Sequence, residues 1–552
     1  MNGATLIIAG TICLIAGYIF YGRWLARKWG VDPSRKTPAH EIADGLDYSP
    51  ARRSVLLGHH FSSIAGAGPI TGPIQAAVFG WIPVALWVII GGIFIGATHD
   101  FGSLLASVRS RGQSIGTIIS NTMGRRAKRL FLIFAYLTLV LVIAAFTSIV
   151  AGTFEGISGT AEHNRSNGIA ATSSILFILF AVILGILSNR YRLSSRMSTL
   201  LTLVFLLSSI IIGISFPIYL SESVWIAVIA AYIVMASILP VWMLLQPRDF
   251  MCSFLLYGLM GAAIIGILLA NPTMNLPGFT SFETNIGYLF PALFITVACG
   301  AVSGFHSLVA SGTTSKQLDS ERDTLPIGYG SMLIECVLAL VALVCVGMLF
   351  TDTMPNGTPT EIFAGGIASI ISSLGLESYE ALTYSLVILV VSSFAMTSLD
   401  TATRLGRMLF QELVEPADDS EPLGLTKMLG HPAVATIITV CLGVGLALVG
   451  YQNIWGLFGS ANQLLAVLAI LAICAWLGNA GLENRMLYIP MVFMLLATLT
   501  SLILTIYGKL MVVMDSFDTV ALIQAVIAIF LFILALVLMK DGVKVLRGQR
   551  DT

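Results

Sequence analysis

The sequence predicts an all-α polytopic membrane protein with about fifteen transmembrane helices. Of its 552 residues, 57% are hydrophobic and only 11% are charged, whereas soluble domains carry roughly 25% charged residues. A helix needs about 20 apolar residues to cross a bilayer, and such stretches recur along nearly the whole chain. Membrane spans therefore form most of the protein.

Apolar stretches bounded by charged residues, proline or glycine define the spans. They cover residues 5–21, 56–79, 82–107, 130–151, 171–188, 198–219, 223–245, 251–270, 288–312, 328–350, 382–403, 433–450, 455–477, 488–507 and 518–539. Lys and Arg are retained on the cytoplasmic side during insertion. With the N-terminus outside, all 29 basic residues except Arg165 and Lys509 fall in cytoplasmic segments. We therefore expect a multi-pass protein of the inner (plasma) membrane with a cytoplasmic C-terminus.

Composition and motifs exclude several other classes. The net charge is zero and no long basic run exists, which argues against nucleic acid as a partner. The seven cysteines stand singly, without metal-ligand spacing. The sequence has no phosphate-binding glycine loop, HExxH motif or serine nucleophile elbow. We predict no catalytic residue, no metal site and no cofactor beyond a coupling sodium ion or proton. The expected partners are the lipid bilayer and a small organic acid or peptide, and the oligomeric state is not predicted.

A break is predicted in span two, within the stretch 58–73. Pro69 and Pro73 remove backbone donors, and three glycines between residues 66 and 72 weaken the helix further. Transporters use broken helices to hold substrates and ions. The alternative is a kink whose glycines allow close helix packing. The predicted substrate-binding residues here are Ala67, Gly68, Pro69, Ile70, Thr71 and Gly72.

The break would begin a half-helix that runs toward the external face. Its first N–H groups and its positive dipole end could bind a carboxylate against residues 68–72, and glycine would let the substrate approach the backbone. Trp242 is expected to line the same cavity, and Ser303 is a further predicted substrate ligand.

A second broken helix is predicted at residues 238–249, near the end of span seven. This stretch contains Pro240 and Pro247. It follows the first broken helix by five spans, so the two would cross the membrane in opposite directions. An inverted repeat of five helices requires this arrangement.

Span nine combines hydroxyl side chains with a histidine. Ser303, His306, Ser307 and Ser311 follow helical spacing along one face, which we expect to line the transport path beside the break in span two. Hydroxyl oxygens suit sodium, whereas histidine suits protons. The alternative is hydrogen bonding between helices.

Ionisable residues inside the membrane usually mark function. Glu335 lies about 10 Å deep at 1.5 Å per residue and is predicted to couple transport to protons, or else to be a structural acid. Asp100 is expected to pair with His59, His60 or Arg248. The predicted ion-coupling residues are Glu335, His306, Ser307 and Asp100, and the predicted structural or gating residues are His59, His60, Arg248, Asp249 and Asp400.

An additional helix is predicted in the long external segment before span eleven. Residues 360–374 place Phe363, Ile367 and Ile371 at helical spacing. Such a helix would lie along the membrane surface, either passively or as part of a gate.

Several ordered segments resemble the carbon starvation protein A family, which includes bacterial pyruvate transporters and peptide transporters. They are GHHFSSIAGAGPITGP (58–73), GATHDF (96–101), ILPVWMLLQPRD (238–249), ACGAVSGFHSLVASGTTSK (298–316), LDTATRLGR (399–407) and LFGSANQLLA (457–466). The chain resembles the shorter members. His99 is a departure, since longer members are expected to carry Gln there, and this weakens the transfer of proton chemistry to that position.

The resemblance implies a LeuT-like fold of two inverted five-helix units, with one extra N-terminal helix and about four extra C-terminal helices. The corresponding units are 1–55, 56–219, 220–412 and 413–552. It also implies cation-coupled import, driven by protons or sodium, of pyruvate or a related small monocarboxylate during carbon starvation. A peptide importer of the same fold is the alternative. A channel or sensor, or an intramembrane hydrolase that uses Asp100 and Asp400, is a more distant hypothesis.

Overall fold

The computed structural model is built almost wholly from helices. It describes residues 1–44, 48–191, 193–240, 242–415 and 424–546. Among these residues, eleven helices are long and apolar enough to cross a membrane. Two shorter apolar helices and two interrupted ones occupy the other predicted spans, which brings the described spans to fifteen. The all-α polytopic fold is confirmed. Residue 241 belongs to predicted span seven, and residues 547–552 belong to the C-terminal segment that is predicted to be cytoplasmic. Both lie outside the described residues.

The first half of the chain contains spans one to eight. Its helices are α1 Gly3–Ala16, α2 Arg23–Lys28, α3 Pro38–Glu41, α4 Arg53–Ala65, α5 Gly68–Ala76, α6 Trp81–Gly91, α7 Ala97–Arg109, α8 Ile115–Met123, α9 Arg125–Phe154, α10 Ala161–Tyr191, α11 Ser195–Ser215, α12 Glu222–Ile238 and α13 Leu245–Ala270. Short π-helical turns, Gly17–Gly22 and Gly92–Gly96, join α1 to α2 and α6 to α7. Span two therefore consists of α4 and α5.

The second half contains spans nine to fifteen. It begins with a small antiparallel hairpin, β1 Glu283–Thr284 and β2 Gly287–Tyr288. Its helices are α14 Leu289–Thr296, α15 Ala298–Ala301, α16 Phe305–Gly312, α17 Gly330–Leu349, α18 Pro359–Ser372, α19 Glu380–Val414, α20 Leu425–Leu429, α21 Pro432–Ala447, α22 Tyr451–Asn479, α23 Tyr488–Asp515 and α24 Thr519–Leu546. Span nine consists of α14, α15 and α16.

Helices α9 and α22 lie at the centre of the bundle. In their most apolar windows, 83% and 100% of the residues are buried. Helix α22 lies in the predicted C-terminal accessory unit, 413–552, yet it is the most completely enclosed of the eleven long apolar helices. The division of the chain into four units stays a prediction, but α22 is part of the core.

The predicted second break inside span seven is wrong. Helix α12 ends at Ile238, and α13 begins at Leu245, so the segment between them connects two spans. Pro240 lies in this connection, whereas Pro247 lies in the first turn of α13, where a missing N–H leaves no hydrogen bond unmade. The interruption in the second half lies instead in span nine, at residues 302–304. Spans two and nine are seven apart, an odd number, so they still run in opposite directions.

Helix α18, which was predicted to lie along the external membrane surface, packs against the protein. It begins with a capping box in which the Thr358 hydroxyl and the Glu361 carboxylate accept each other's backbone N–H. Its apolar side is buried, with Phe363 fully enclosed, and it packs on α5, α17 and α19. The residues at helical spacing that predicted an interfacial helix therefore face the protein, and α18 covers the end of the bundle that is predicted to be external.

The two interrupted spans pack against each other through glycine. A Cβ atom at Gly68 would lie 2.2 Å from the Cβ of Cys299, and one at Gly72 would lie 2.6 Å from the carbonyl oxygen of Thr296. In this structure these glycines therefore face span nine, where a substrate cannot reach their Cα atoms. Close helix packing, the alternative reading of this motif, is what they provide.

This packing makes Gly68→Ala a stability variant. We expect it to lose about 1–3 kcal/mol through overpacking, and Gly68→Val to lose more. The added Cβ clashes with Cys299, so Cys299→Gly in the same chain should restore most of the loss. The measurement is the melting temperature of the detergent-purified protein.

Gly261→Ala is the matched control, because no atom lies within 4 Å of a Cβ added there. Its melting temperature should not fall. An unchanged melting temperature for Gly68→Ala would contradict the packing described here.

Candidate functional site

The predicted break in span two lies at Gly66 and Ala67. Gly66 has a φ of 49°, a backbone conformation that favours glycine. Helix α5 then begins at Gly68, with Pro69 in its first turn. The Thr71 N–H donates to the carbonyl oxygen of Ala67 at 2.9 Å and so closes this turn. The sequence therefore predicted a break in this span correctly, but placed it at residues 67–72, which except for Ala67 belong to α5.

Neighbouring helices enclose the break. The Ser398 hydroxyl of α19 donates to the carbonyl oxygen of Ser63 at 3.1 Å, and it lies 2.8 Å from where a Cβ at Gly66 would be. Residues 64–74 are all buried. The non-helical backbone at this depth is therefore surrounded by protein, as a hydrocarbon environment requires.

A cavity of about 170 Å³ lies beside the break, on the side of α18, which is the external side in the predicted topology. Of the predicted substrate-binding stretch 67–72, Thr71 lines this cavity. The start of α18 forms part of the cavity wall. The complete lining is Thr71, Ser148, Ile149, Gly152, Thr153, Asn167, Glu222, Thr358, Pro359, Thr360, Glu361 and Ile388. We call this space the external vestibule. Its lining is rich in hydroxyls and includes two carboxylates.

Trp242 lies far from the external vestibule. The carbonyl oxygen of Trp242 lies 2.9 Å from where a Cβ at Gly185 of α10 would be. Asn167, which lines the vestibule, is eighteen residues earlier on the same helix, about 27 Å away at 1.5 Å per residue. The structure therefore does not bring Trp242 to the break in span two.

A buried cluster of acids and imidazoles joins three spans. His306 Nδ1 of α16 lies 2.8 Å from Asp100 Oδ2 of α7, and His306 Nε2 lies 3.5 Å from Glu335 Oε2 of α17. His99 Nδ1 lies 2.7 Å from the other Asp100 oxygen. All four side chains have no exposed surface. We call His99, Asp100, His306 and Glu335 the coupling cluster, after the coupling role predicted for three of them.

The predicted partners of Asp100 were wrong. His59 Nδ1 lies 2.6 Å from Asp249 Oδ2, and His60 Nδ1 lies 2.8 Å from the Thr314 hydroxyl. Asp100 instead contacts His306, 206 residues away in sequence. The error arose because sequence depth alone cannot show which helices are neighbours.

Arg248 and Asp400 form a second buried group with Tyr232. Arg248 contacts the Asp400 carboxylate directly and donates to the Tyr232 hydroxyl at 2.8 Å. Tyr232 in turn donates to Asp400 at 2.5 Å. All three side chains are buried, so the positive and negative charges balance inside the protein. This network joins α12, α13 and α19.

The interruption of span nine is held open by α22. Asn462 accepts a hydrogen bond from the Phe305 N–H at 2.9 Å through its side chain, and from the Gly304 N–H at 3.0 Å through its carbonyl. Its amide also donates to Ser303 at 3.0 Å. Ser303 is thus a member of the break and not of a continuous helical face.

The other hydroxyls of span nine bond within their own helix. Ser307 donates to the carbonyl oxygen of Gly304 at 2.7 Å, and Ser311 donates to that of Ser307 at 2.7 Å. The predicted polar face is therefore buried, and these two hydroxyls serve the local backbone.

Sequence reasoning missed Asn462, Tyr232 and Asn167 as site residues. Asn462 lies in the quoted LFGSANQLLA segment, and an amide inside an apolar span was the available signal. Tyr232 lies within an apolar run, residues 226–236, and Asn167 ends a polar run, residues 162–167, that was predicted as part of a loop.

Comparison with known proteins identifies the family. The family model described as carbon starvation protein CstA matches residues 2–355 and 350–501. A peptide transporter CstA of Campylobacter jejuni is 34% identical, over 90% of this chain and 79% of its own. The peptide transporter CstA of Escherichia coli is 32% identical, over 91% and 81%. The pyruvate/proton symporter BtsT of Escherichia coli is 31% identical, over 84% and 76%.

Solved transporter structures share the fold. A manganese transporter of Eremococcus coleocola, in its H236A form, superimposes with a TM-score of 0.51, at 12% identity, over 92% of this chain and 99% of its own. MhsT in complex with L-phenylalanine superimposes with a TM-score of 0.50, at 13% identity, over 88% and 99%. These similarities show the LeuT-like fold alone. Since the family model and the full-length relatives cover most of its sequence, this chain belongs to the carbon starvation protein CstA family and is a membrane transporter, not an enzyme.

Proposed function

We propose that the protein is a proton-coupled secondary transporter that imports a small organic substrate past the break in span two. The observation that carries this proposal is the position of His306. Its two ring nitrogens face Asp100 and Glu335, so one titratable imidazole lies between two carboxylates on separate helices. Proton coupling requires side chains that can bind and release a proton, as an imidazole can.

The burial of the coupling cluster supports proton coupling. Both carboxylate oxygens of Glu335 and the Nε2 of His306 lack a hydrogen-bond partner among the described residues. An ionised carboxylate is costly in such surroundings unless a cation balances it. Protonated His306 is the nearest such cation. A change of protonation therefore requires a change in packing between α16 and α17, or the entry of water, and this links the proton to conformation.

For the substrate, we propose pyruvate or a related small monocarboxylate, as the family resemblance implied. The pyruvate/proton symporter relative supports this choice. A short peptide is the second candidate. The external vestibule favours it, because its lining contains two carboxylates and no Lys or Arg, which suits a substrate with a positive group.

We also propose that the transporter lies in the inner membrane with its N-terminus outside and its C-terminus in the cytoplasm. In this orientation the Arg248–Asp400 network and the His59–Asp249 pair lie toward the cytoplasmic ends of their spans. The second pair joins α4, the first half of broken span two, to α13. We infer that these contacts close the cytoplasmic side of the path.

The coupling proposal predicts that Glu335→Gln loses gradient-driven accumulation. The variant cannot exchange a proton at this position, so uphill uptake into proteoliposomes should fall at least tenfold, whereas counterflow between equal substrate concentrations should persist. Proton and sodium gradients are imposed separately, and the proton gradient should drive the wild-type protein.

Glu412→Gln is the control for Glu335→Gln, since Glu412 forms a partly exposed pair with Lys128. Its accumulation should equal that of the wild type. Unchanged accumulation and unchanged pH dependence in Glu335→Gln would refute the coupling role.

The gating proposal predicts different effects for single and paired changes in the Arg248–Asp400 network. Arg248→Met leaves a buried carboxylate without its cation and should destabilise the protein by about 3–5 kcal/mol. Adding Asp400→Asn removes that charge and should recover most of the melting temperature. If the network gates the path, the double variant regains stability but not normal transport rates. Full recovery of both would show a purely structural ion pair.

Lys28→Met is the matched control for this series. Lys28 and Glu483 form an exposed ion pair at 3.0 Å, and such pairs contribute about 0–1 kcal/mol. Its melting temperature should stay close to that of the wild type.

The substrate proposal predicts proton-driven uptake of labelled pyruvate into proteoliposomes. Alanine and dialanine are measured in parallel at the same imposed gradient. Uptake of pyruvate alone supports the monocarboxylate proposal, whereas uptake of dialanine without pyruvate would replace it with the peptide candidate.

A further inference from the structure

A small cluster of apolar side chains is distinct from the main core of the bundle. Its six members come from spans two, three, nine and ten and from the segment that follows span nine. They are Leu56, Leu104, Val108, Ala310, Leu318 and Ile327. Each has an exposed fraction of 5% or less. We call this cluster the apolar layer.

The apolar layer follows the coupling cluster along two of the same helices. Leu104 comes four residues after Asp100 on α7. Ala310 comes four residues after His306 on α16. Four residues make about one helical turn, which rises about 6 Å. On both helices, therefore, the layer begins about one turn from the coupling cluster.

Two further helices repeat this spacing. Ile327 precedes Glu335 by eight residues, in the π-helical turn that leads into α17. Leu56 precedes His60 by four residues on α4. The His60 side chain is fully buried and lies close enough to the coupling cluster to interact with its charges. All four helices thus pass from ionisable residues to apolar ones in the same direction.

This direction leads to the end of the bundle that is predicted to be cytoplasmic. Helix α4 begins there at Arg53, and α7 ends there at Arg109. The Arg109 guanidinium lies 2.6 Å from the Glu321 carboxylate. The Ala51 N–H donates to the carbonyl oxygen of Gln317 at 2.9 Å. These contacts close the chain over the apolar layer, which therefore lies between the coupling cluster and this end.

Hydroxyl groups beside the apolar layer are bonded to the backbone. Ser107 donates to the carbonyl oxygen of Gln113 at 2.7 Å, and Ser315 donates to that of Ser311 at 3.1 Å. Such bonds hold a hydroxyl in place, so neither side chain is free to turn and relay a proton. The Ser103 hydroxyl has no partner among the described residues, but it precedes the layer on α7 and lies on the side of the coupling cluster.

We propose that the apolar layer is a barrier that stops protons from passing between the coupling cluster and the predicted cytoplasmic end unless the transporter changes conformation. Dry apolar constrictions gate channels in the same way, by excluding water, and a charge inside such a layer is costly. A coupled transporter needs such a barrier, because an open proton path would dissipate the gradient that drives uptake. This inference rests on the proposed proton-coupled function and names the residues that keep the coupling tight.

Leu104→Asn tests the barrier, because asparagine resembles leucine in shape but binds water. The full chain is reconstituted into liposomes that contain a pH-sensitive dye. An inward proton gradient is imposed without substrate, and potassium with valinomycin clamps the membrane potential. Internal acidification should be at least tenfold faster in Leu104→Asn than in the wild type. Leu104→Met, which keeps the side chain apolar, should stay as tight as the wild type.

Val108→Thr is the second variant, since threonine has nearly the shape of valine and adds one hydroxyl. Its leak should be at least twofold faster than that of the wild type, and it decides the question if Leu104→Asn does not fold. Leu343→Asn is the matched control. Leu343 is equally buried in the main core of α17, eight residues beyond Glu335 on the side away from the layer, so this variant should not leak.

The barrier is overturned if folded Leu104→Asn and Val108→Thr are both as tight as the wild type, or if Leu343→Asn leaks as fast as Leu104→Asn. Such a result leaves the coupling proposal standing, because Glu335→Gln tests that proposal by accumulation. Adding Glu335→Gln to Leu104→Asn should slow the leak at least tenfold. A leak that persists in this double variant keeps the barrier and contradicts the coupling role of Glu335 alone.

Discussion

Two spans leave the helical conformation inside the bundle, and hydrocarbon offers no partner for the backbone groups that this releases. The protein supplies those partners from other helices. Asn462 of α22 binds the N–H groups that follow the interruption in span nine, and Ser398 of α19 binds the carbonyl of Ser63 before the break in span two. The rest of the arrangement follows from this requirement. Helices α19 and α22 must lie against the breaks, and the interrupted spans approach each other closely enough that Gly68 admits no Cβ beside Cys299.

Charged side chains inside the bundle also need partners from the protein. Arg248 and Asp400 neutralise each other, with Tyr232 as a shared hydrogen-bonding partner, and so form a group that is stable as long as both charges remain. The coupling cluster has a different balance. It contains two carboxylates around His306, and Glu335 lacks hydrogen-bond partners among the described residues. Both groups are buried clusters of ionisable side chains, but only the second leaves a carboxylate without hydrogen-bond partners in the described part of the chain, and the proposed proton coupling rests on that difference.

The position of the external vestibule connects these features to transport. It lies between the cover formed by α18 and the half-helix α5, and its acceptors come from α10, α12 and α18. A ligand that enters this space would contact both the cover and the broken span. Since Gly68 and Gly72 face span nine, the backbone at the start of α5 becomes available to a substrate only if the two interrupted spans separate. The predicted binding of a substrate at residues 68–72 would therefore require spans two and nine to move apart.

The sequence by itself determined the number of spans, their approximate positions and the break in span two, because hydrophobic length, proline and glycine act locally along the chain. It also identified Glu335, His306, Asp100, Arg248 and Asp400 as costly residues at membrane depth. Tertiary structure decided their partners. Asp100 contacts His306 and not His59, His60 or Arg248. Pro240 lies in a connection between two spans and Pro247 in the first turn of α13, so neither breaks a span. The break in span nine depends on Asn462, whose side chain contacts Ser303 from 159 residues away. Such contacts depend on which helices are neighbours, and periodicity along one helix carries no information about that.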